Sequence, residues 1–155
     1  MILENENTIR KFENTDYFGY LFHVSYDGLM FDSFDENPDM ISVKSKFREL
    51  LESNNIKFYK GIQQAGRTDK DVSASNNILY INSKQDIKLS GLKNFKTDGL
   101  TITKIEKTMP FLELPSLIKS RHYVYKYPTD KIANTKDEIN KICESLSGEK
   151  NFKKF

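Results

Sequence analysis

The sequence is short of the residues that build cross-links and metal sites. Its 155 residues hold a single cysteine, Cys143. One thiol excludes an intrachain disulfide and points to a reducing, cytoplasmic setting. Two histidines and that cysteine are too few for a zinc site of the usual kind, so no metal is expected. Long apolar runs are missing as well. No stretch approaches a membrane span, and no secretory leader pattern opens the chain. An excess of one charge is also lacking. Twenty-four basic residues stand against 22 acidic ones, a net charge of +2, so any affinity for nucleic acid must come from a local basic face.

What is present suits one globular domain. The hydrophobic fraction of 37% and charged fraction of 30% exclude a disordered polyelectrolyte, and the length suffices for a real core. Residues 1–16 are polar and unpatterned and read as a flexible N-terminal arm; residues 17–155 read as the domain. Tyr20, Phe22, Val24 and Tyr26 alternate onto one face of a strand, and Asp27-Gly28 signals a turn. The acidic stretch to Asp39 reads as loop. Ser42 can cap a helix whose Val43, Phe47, Leu50 and Leu51 recur at helical spacing. Strands are expected at Lys57–Ile62, Asn77–Ile81 and Leu100–Lys107, with a turn or two of helix between Asp86 and Gly99. Pro110 and Pro115 make Met109–Leu117 a loop. Arg121–Tyr127 alternates again and reads as a fifth strand. Thr135 and Glu138 form a capping box for a helix with Ile139, Ile142, Cys143 and Leu146 on one side, stopped by Gly148. The order predicts an α+β fold: a largely antiparallel sheet whose one face is covered by the apolar sides of both helices.

The chemistry concentrates in "AGRTDKDVSA", Ala65 to Ala74. Arg67-Thr68-Asp69 reads either as a loop with a screened ion pair or as a carboxylate held ready to act. Other candidates carry two readings too. Tyr123 suits a cross-strand contact or a stacking surface. Lys119, Arg121 and Lys126 suit a phosphate-facing stripe or a solvated edge. His23 and His122 read as strand residues, and Cys143 as packed core.

Together "VSYDG" (Val24–Gly28), "AGRTDKDVSA", "SRHYVYKY" (Ser120–Tyr127) and "LSGEKNF" (Leu146–Phe152) resemble, in order and spacing, the N-terminal half of the tRNA pseudouridine synthase A family. The resemblance covers Phe22 to Phe155. Gly-Arg-Thr-Asp is its specific part. It implies a ferredoxin-like half of a pseudouridine synthase fold that isomerises uridine to pseudouridine in the anticodon arm of tRNA without cofactor. By the same resemblance Asp69 is the nucleophile. Arg67 lowers its pKa by charge pairing and helps fill the space of the flipped base. Tyr123 stacks on the uracil, Gly66 allows close backbone approach, and Thr68 belongs to the substrate-binding loop.

The chain departs from that pattern. The family usually reads Gly-Arg-Thr-Asp-Ala-Gly-Val-His-Ala, whereas Lys70, Asp71 and Ser73 stand here for the alanine, glycine and histidine. Ser33-Phe34-Asp35 replaces a Gly-Trp-Gln, and Phe111–Pro115 lacks the arginine of a Phe-x-Ala-Arg. The family's second half, which completes the cleft, is expected to be absent, so a homodimer or a complementing second half is the expected partner beside tRNA. The alternative is a noncatalytic, degenerate or truncated RNA-binding or assembly module of the same fold. An unrelated ferredoxin-like ligand-binding domain would require the motif matches to be coincidence.

Overall fold

A computed structural model describes residues 16–87, 95–151 and 153. Most of the expected arm and part of the expected helix between Asp86 and Gly99 lie outside these residues. The chain divides into two compact units, one ending at Arg121 and one beginning at His122.

The first unit is built on five strands: β1 (Phe18–Tyr26), β2 (Tyr59–Gln64), β3 (Ala74–Ser83), β4 (Lys96–Thr97) and β5 (Leu100–Thr108). They form one sheet in the order β2-β3-β1-β5-β4, with every pair antiparallel. β1 is central. Phe22 lies opposite Leu79 of β3 and Ile105 of β5. Its sequence is apolar along one face, Tyr20, Phe22, Val24 and Tyr26, while the other carries Gly19, Leu21, His23 and Ser25, of which Leu21 is buried.

One face carries Tyr20, Phe22, Val24 and Tyr26 with Leu79, Ile81, Leu100 and Ile102. Helix α1 (Val43–Ser53) lies over it through Val43, Phe47 and Leu51. The Phe22 and Phe47 rings meet edge-on at 5.1 Å, a favoured aromatic geometry. Ser42 caps α1 as its sequence predicts. Its hydroxyl accepts from the Ser45 amide, and the Ser45 hydroxyl accepts from the Ser42 amide, both at 2.9 Å.

The other face has its own small core of Leu21, Tyr80, Leu112 and Leu114. The proline-bounded stretch read as loop covers it, and Leu114–Leu117 makes a single helical turn with proline in its first positions. Tyr80 organises this cover. Its hydroxyl lies 2.8 Å from Asn82 Oδ1 and 2.9 Å from the Met109 carbonyl, and accepts from the Leu112 amide at 3.1 Å. Burial pushes the Tyr80 phenol up to about 12.

The second unit corrects two expectations. Arg121–Tyr127 is not a strand: it has no regular structure, and Tyr123, Val124, Tyr125 and Tyr127 are exposed. Alternation supplies the side-chain pattern, but a strand exists only by pairing. Helix α2 (Lys136–Leu146) does form, behind its Thr135–Glu138 capping box, and Gly148 follows it at φ +88°. Its apolar side is not buried, however. Ile142 and Leu146 are about half exposed, and Cys143 is exposed rather than packed. Among the described residues of the first unit, α1 is the long helix, and its apolar side covers the larger core face of the sheet.

Replacing Tyr80 by Phe would keep the ring but strand the buried Leu112 amide without its acceptor. We expect Tyr80→Phe to lower the unfolding free energy by about 1–3 kcal/mol in a urea titration.

Candidate active site

The motif loop runs from the end of β2 to the start of β3 and is tied down from several sides. Asn77, a buried residue of β3, donates from Nδ2 to the Gly66 carbonyl at 2.8 Å and to the Tyr26 hydroxyl at 3.2 Å. Tyr26, at the end of β1, also meets the Thr68 hydroxyl at 2.9 Å. Thr68 thus serves as an anchor between the core and its two exposed neighbours, Arg67 and Asp69.

The second tie comes from "VSYDG". The Gly28 amide donates to Ser73 Oγ at 2.9 Å, and a Cβ on Gly28 would stand 2.4 Å from the Val72 carbonyl carbon. Only glycine permits that approach. Two motifs 40 or so residues apart in sequence are thus one packed unit.

The third tie is Arg121. Its guanidinium donates from Nε and Nη2 to the Ala65 carbonyl at 2.9 and 2.6 Å. A Cβ on Gly66 would come within 2.8 Å of Arg121 Nε. Arg121 thus makes a close approach at Gly66 and, while itself exposed, clamps the loop through the Ala65 carbonyl.

At the tip, the Asp69 carbonyl accepts from the Val72 amide at 3.2 Å, closing a turn with Asp71 at φ +64°. A positive φ at the third position of such a turn favours glycine, and aspartate tolerates it better than most residues. Asp71 replaces the family's glycine, yet the left-handed backbone that favours glycine is present.

The expected charge pair is formed with a different acid. Arg67 Nη1 lies 3.3 Å from Asp35 Oδ2, while Lys44 Nζ sits 2.7 Å from Asp35 Oδ1. Asp35 comes from the segment leading to α1, where Val43 and Lys44 amides bond the Ser33 and Phe34 carbonyls. Burial alone would raise the Asp35 carboxyl. The hydrogen bonds and charges of Lys44, then of Arg67, outweigh it and hold the group below its usual value. Among the described residues the Asp69 carboxylate has neither an ion-pair nor a hydrogen-bond partner.

The first unit thus brings together Gly66, Arg67, Thr68 and Asp69. Tyr123 belongs to the second unit and is exposed. Sequence reasoning missed Tyr26, Asn77, Asp35 and the clamp by Arg121. The Asp27-Gly28 turn signal was the one available pointer to the second tie. Among the described residues no group of three His, Cys, Asp or Glu side chains could hold a metal ion. No described helix is long and apolar enough to cross a membrane.

No protein-family model matches the chain. Curated relatives do. The tRNA pseudouridine synthase A of Picrophilus torridus is 40% identical over 65 residues, 42% of this chain and 25% of the relative. That of Pyrococcus abyssi is 24% identical over 139 residues, 86% of this chain and 50% of the relative. That of Borrelia duttonii is 31% identical over 109 residues, 68% of this chain and 44% of the relative. The matches to the second and third cover most of this chain, and the chain spans half or less of the length of these three relatives.

Two outcomes follow for the loop. Asp71→Gly should hold or raise stability, whereas Asp71→Ala should cost about 1 kcal/mol, read from urea midpoints. The Asp35 group has a sign that can be checked. Its folded pKa lies below its unfolded value of about 3.9, so its contribution is complete above that pH and is lost as pH falls through the folded value. Between pH 6 and pH 2 the wild type should lose more stability than Asp35→Asn.

Proposed function

We propose that this chain is the aspartate-bearing part of an isomerase that converts uridine to pseudouridine in the anticodon arm of tRNA. The observation that carries the reading is Asp69 itself. The backbone around it is anchored by Asn77, Tyr26, Gly28 and Arg121, while its carboxylate is exposed and has no partner among the described residues. A fixed loop presenting a free carboxylate is what an attacking group requires.

In this reading Asp69 attacks the flipped nucleotide and the N1–C1′ bond breaks. The freed uracil turns and bonds C1′ through C5, displacing the Asp69 carboxylate, which leaves with the electrons of its C1′–O bond. C5 gives up its proton and N1 regains one, so substrate and product differ only in connectivity. No cofactor is needed. Tyr123 offers an aromatic face to the base, and Arg67 exchanges Asp35 for the RNA. The chain spans about half the length of the curated relatives it matches; in this reading a second half, on a longer form of this chain, on a second copy or on another protein, completes the cleft.

One observation favours a second reading. Arg67 is paired with Asp35, and the acid beside it in the motif is left alone. A noncatalytic RNA-binding or assembly module of the same fold would need no more than that.

The test separates them. In a preparation that releases the uracil C5 hydrogen from labelled tRNA, Asp69→Asn should abolish release with tRNA affinity nearly unchanged. Asp71→Asn should retain activity, and Tyr123→Phe should retain base binding. Normal release by Asp69→Asn would return the loop to an ordinary structural turn. Tight tRNA binding with no release from the complemented protein would favour the binding module.

A further inference from the structure

A second feature lies at the end of the sheet opposite the motif loop. In the sheet register Phe18 stands opposite Ser83 and Tyr59 opposite Asn82, so Tyr17, Lys84 and Tyr59 gather at that end. Phe111 joins them from the segment after β5. The Tyr17 ring lies 5.3 Å from Tyr59 and 5.2 Å from Phe111, and Tyr59 and Phe111 are 6.4 Å apart. The three rings belong to neither buried cluster, and Tyr59 is 45% exposed.

Cations surround these rings. Lys60 Nζ stands 5.5 Å from the centre of Tyr59, and Lys84 Nζ stands 5.1 Å from the centre of Tyr17. Lys57 is exposed beside them, its carbonyl bonded by Ser83 Oγ. Among the described residues none of these three lysines forms an ion pair. The nearby acid, Asp86, is already taken by Lys107 at 2.8 Å.

The backbone here is strained. Lys60 and Phe111 both hold left-handed conformations, at φ +63° and +59°. Bulky residues rarely adopt that region, and such outliers collect at functional positions. At Lys60 the outlier falls within edge strand β2, where the pairing with β3 breaks register between Tyr59 and Gln63.

We propose that Tyr17, Tyr59 and Phe111 form a stacking platform for an unpaired base of RNA, with Lys57, Lys60 and Lys84 taking the flanking phosphates. Aromatic faces accept any base, and cations without acidic partners match a polyanion. The platform and the Asp69 loop bracket β2, on the order of 20 Å apart at about 3.3 Å per residue. An RNA lying along this edge reaches both. The inference rests on the tRNA reading of the Asp69 loop and adds a contact remote from it.

The test is an amide-resolved NMR titration of the chain with a short oligouridylate at low salt, together with tRNA affinities. Shifts at residues 57–60, 84 and 111 are expected in addition to those of the motif loop. Tyr59→Ala should weaken tRNA binding about tenfold, while Tyr59→Phe keeps it. The Lys60→Ala, Lys84→Ala pair should flatten the salt dependence, since two phosphate contacts are lost. Lys84→Glu, a surface change that spares folding, should weaken binding further. Shifts confined to residues 65–73, with unchanged affinity in the platform variants, would overturn the platform and leave the tRNA reading standing. No shifts anywhere and no tRNA binding at low salt would overturn both.

Discussion

The buried amide of Asn77 is the constraint on which the candidate site depends. A side-chain amide has two donors and one acceptor to satisfy, and water does not reach this one freely. One donor group goes to the Gly66 carbonyl and the Tyr26 hydroxyl, and the oxygen accepts from the Ile78 amide at 2.8 Å. Each bond reaches a different part of the chain: the motif loop, the end of the central strand, and β3 itself. Shifting any of them leaves a buried polar group unpaired, at a cost of about 1–3 kcal/mol. The loop is thereby locked to the sheet at Gly66 and Thr68. Its two charged residues, at the neighbouring positions, are left outside.

Much of this was legible in sequence where the signal is local. Ser42 and Thr135 cap helices because a short hydroxyl side chain before an amphipathic run has few other places to bond. β1, β3 and β5 were readable from their apolar alternation and β-branched residues, and β2 to within two residues. The antiparallel sheet was expected and is found, but what covers particular side chains was not legible. Arg121–Tyr127 has a strand's alternation but no strand beside it in the described residues. The apolar side of α2 was identified correctly, yet periodicity says which side is apolar and not what covers it. Cys143 is exposed for that reason. Leu112 and Leu114 went the other way: prolines disguised them as loop, and only the sheet's second face shows why they are buried.

The site follows the same division. Gly66, Arg67, Thr68 and Asp69 were found because they adjoin one another in a recognisable motif. Their supports were not, because Tyr26, Asn77, Asp35 and Arg121 come from four separate segments, and the motifs that hold Tyr26 and Arg121 do not say what those side chains touch. Asp71 is instructive here. Where the family usually carries glycine, Asp71 holds φ +64°, a left-handed conformation that glycine favours and aspartate tolerates.

Under the proposed function, the Arg67–Asp35 pair bears on how the loop would meet RNA. Asp35 is shared: Lys44, itself nearly buried, sits closer to the carboxylate than Arg67 does and stays with it. Removing Arg67 therefore leaves no bare buried charge behind. The Arg67 side chain is 70% exposed, and pairs of this kind are typically worth about 0–1 kcal/mol. An arriving phosphate can offer Arg67 a bidentate partner of greater charge. Exchange of Asp35 for phosphate then costs little, and it moves the guanidinium while the backbone stays fixed at Gly66 and Thr68. Asp69 keeps its place during that exchange because its anchors lie in the sheet, not in its arginine neighbour.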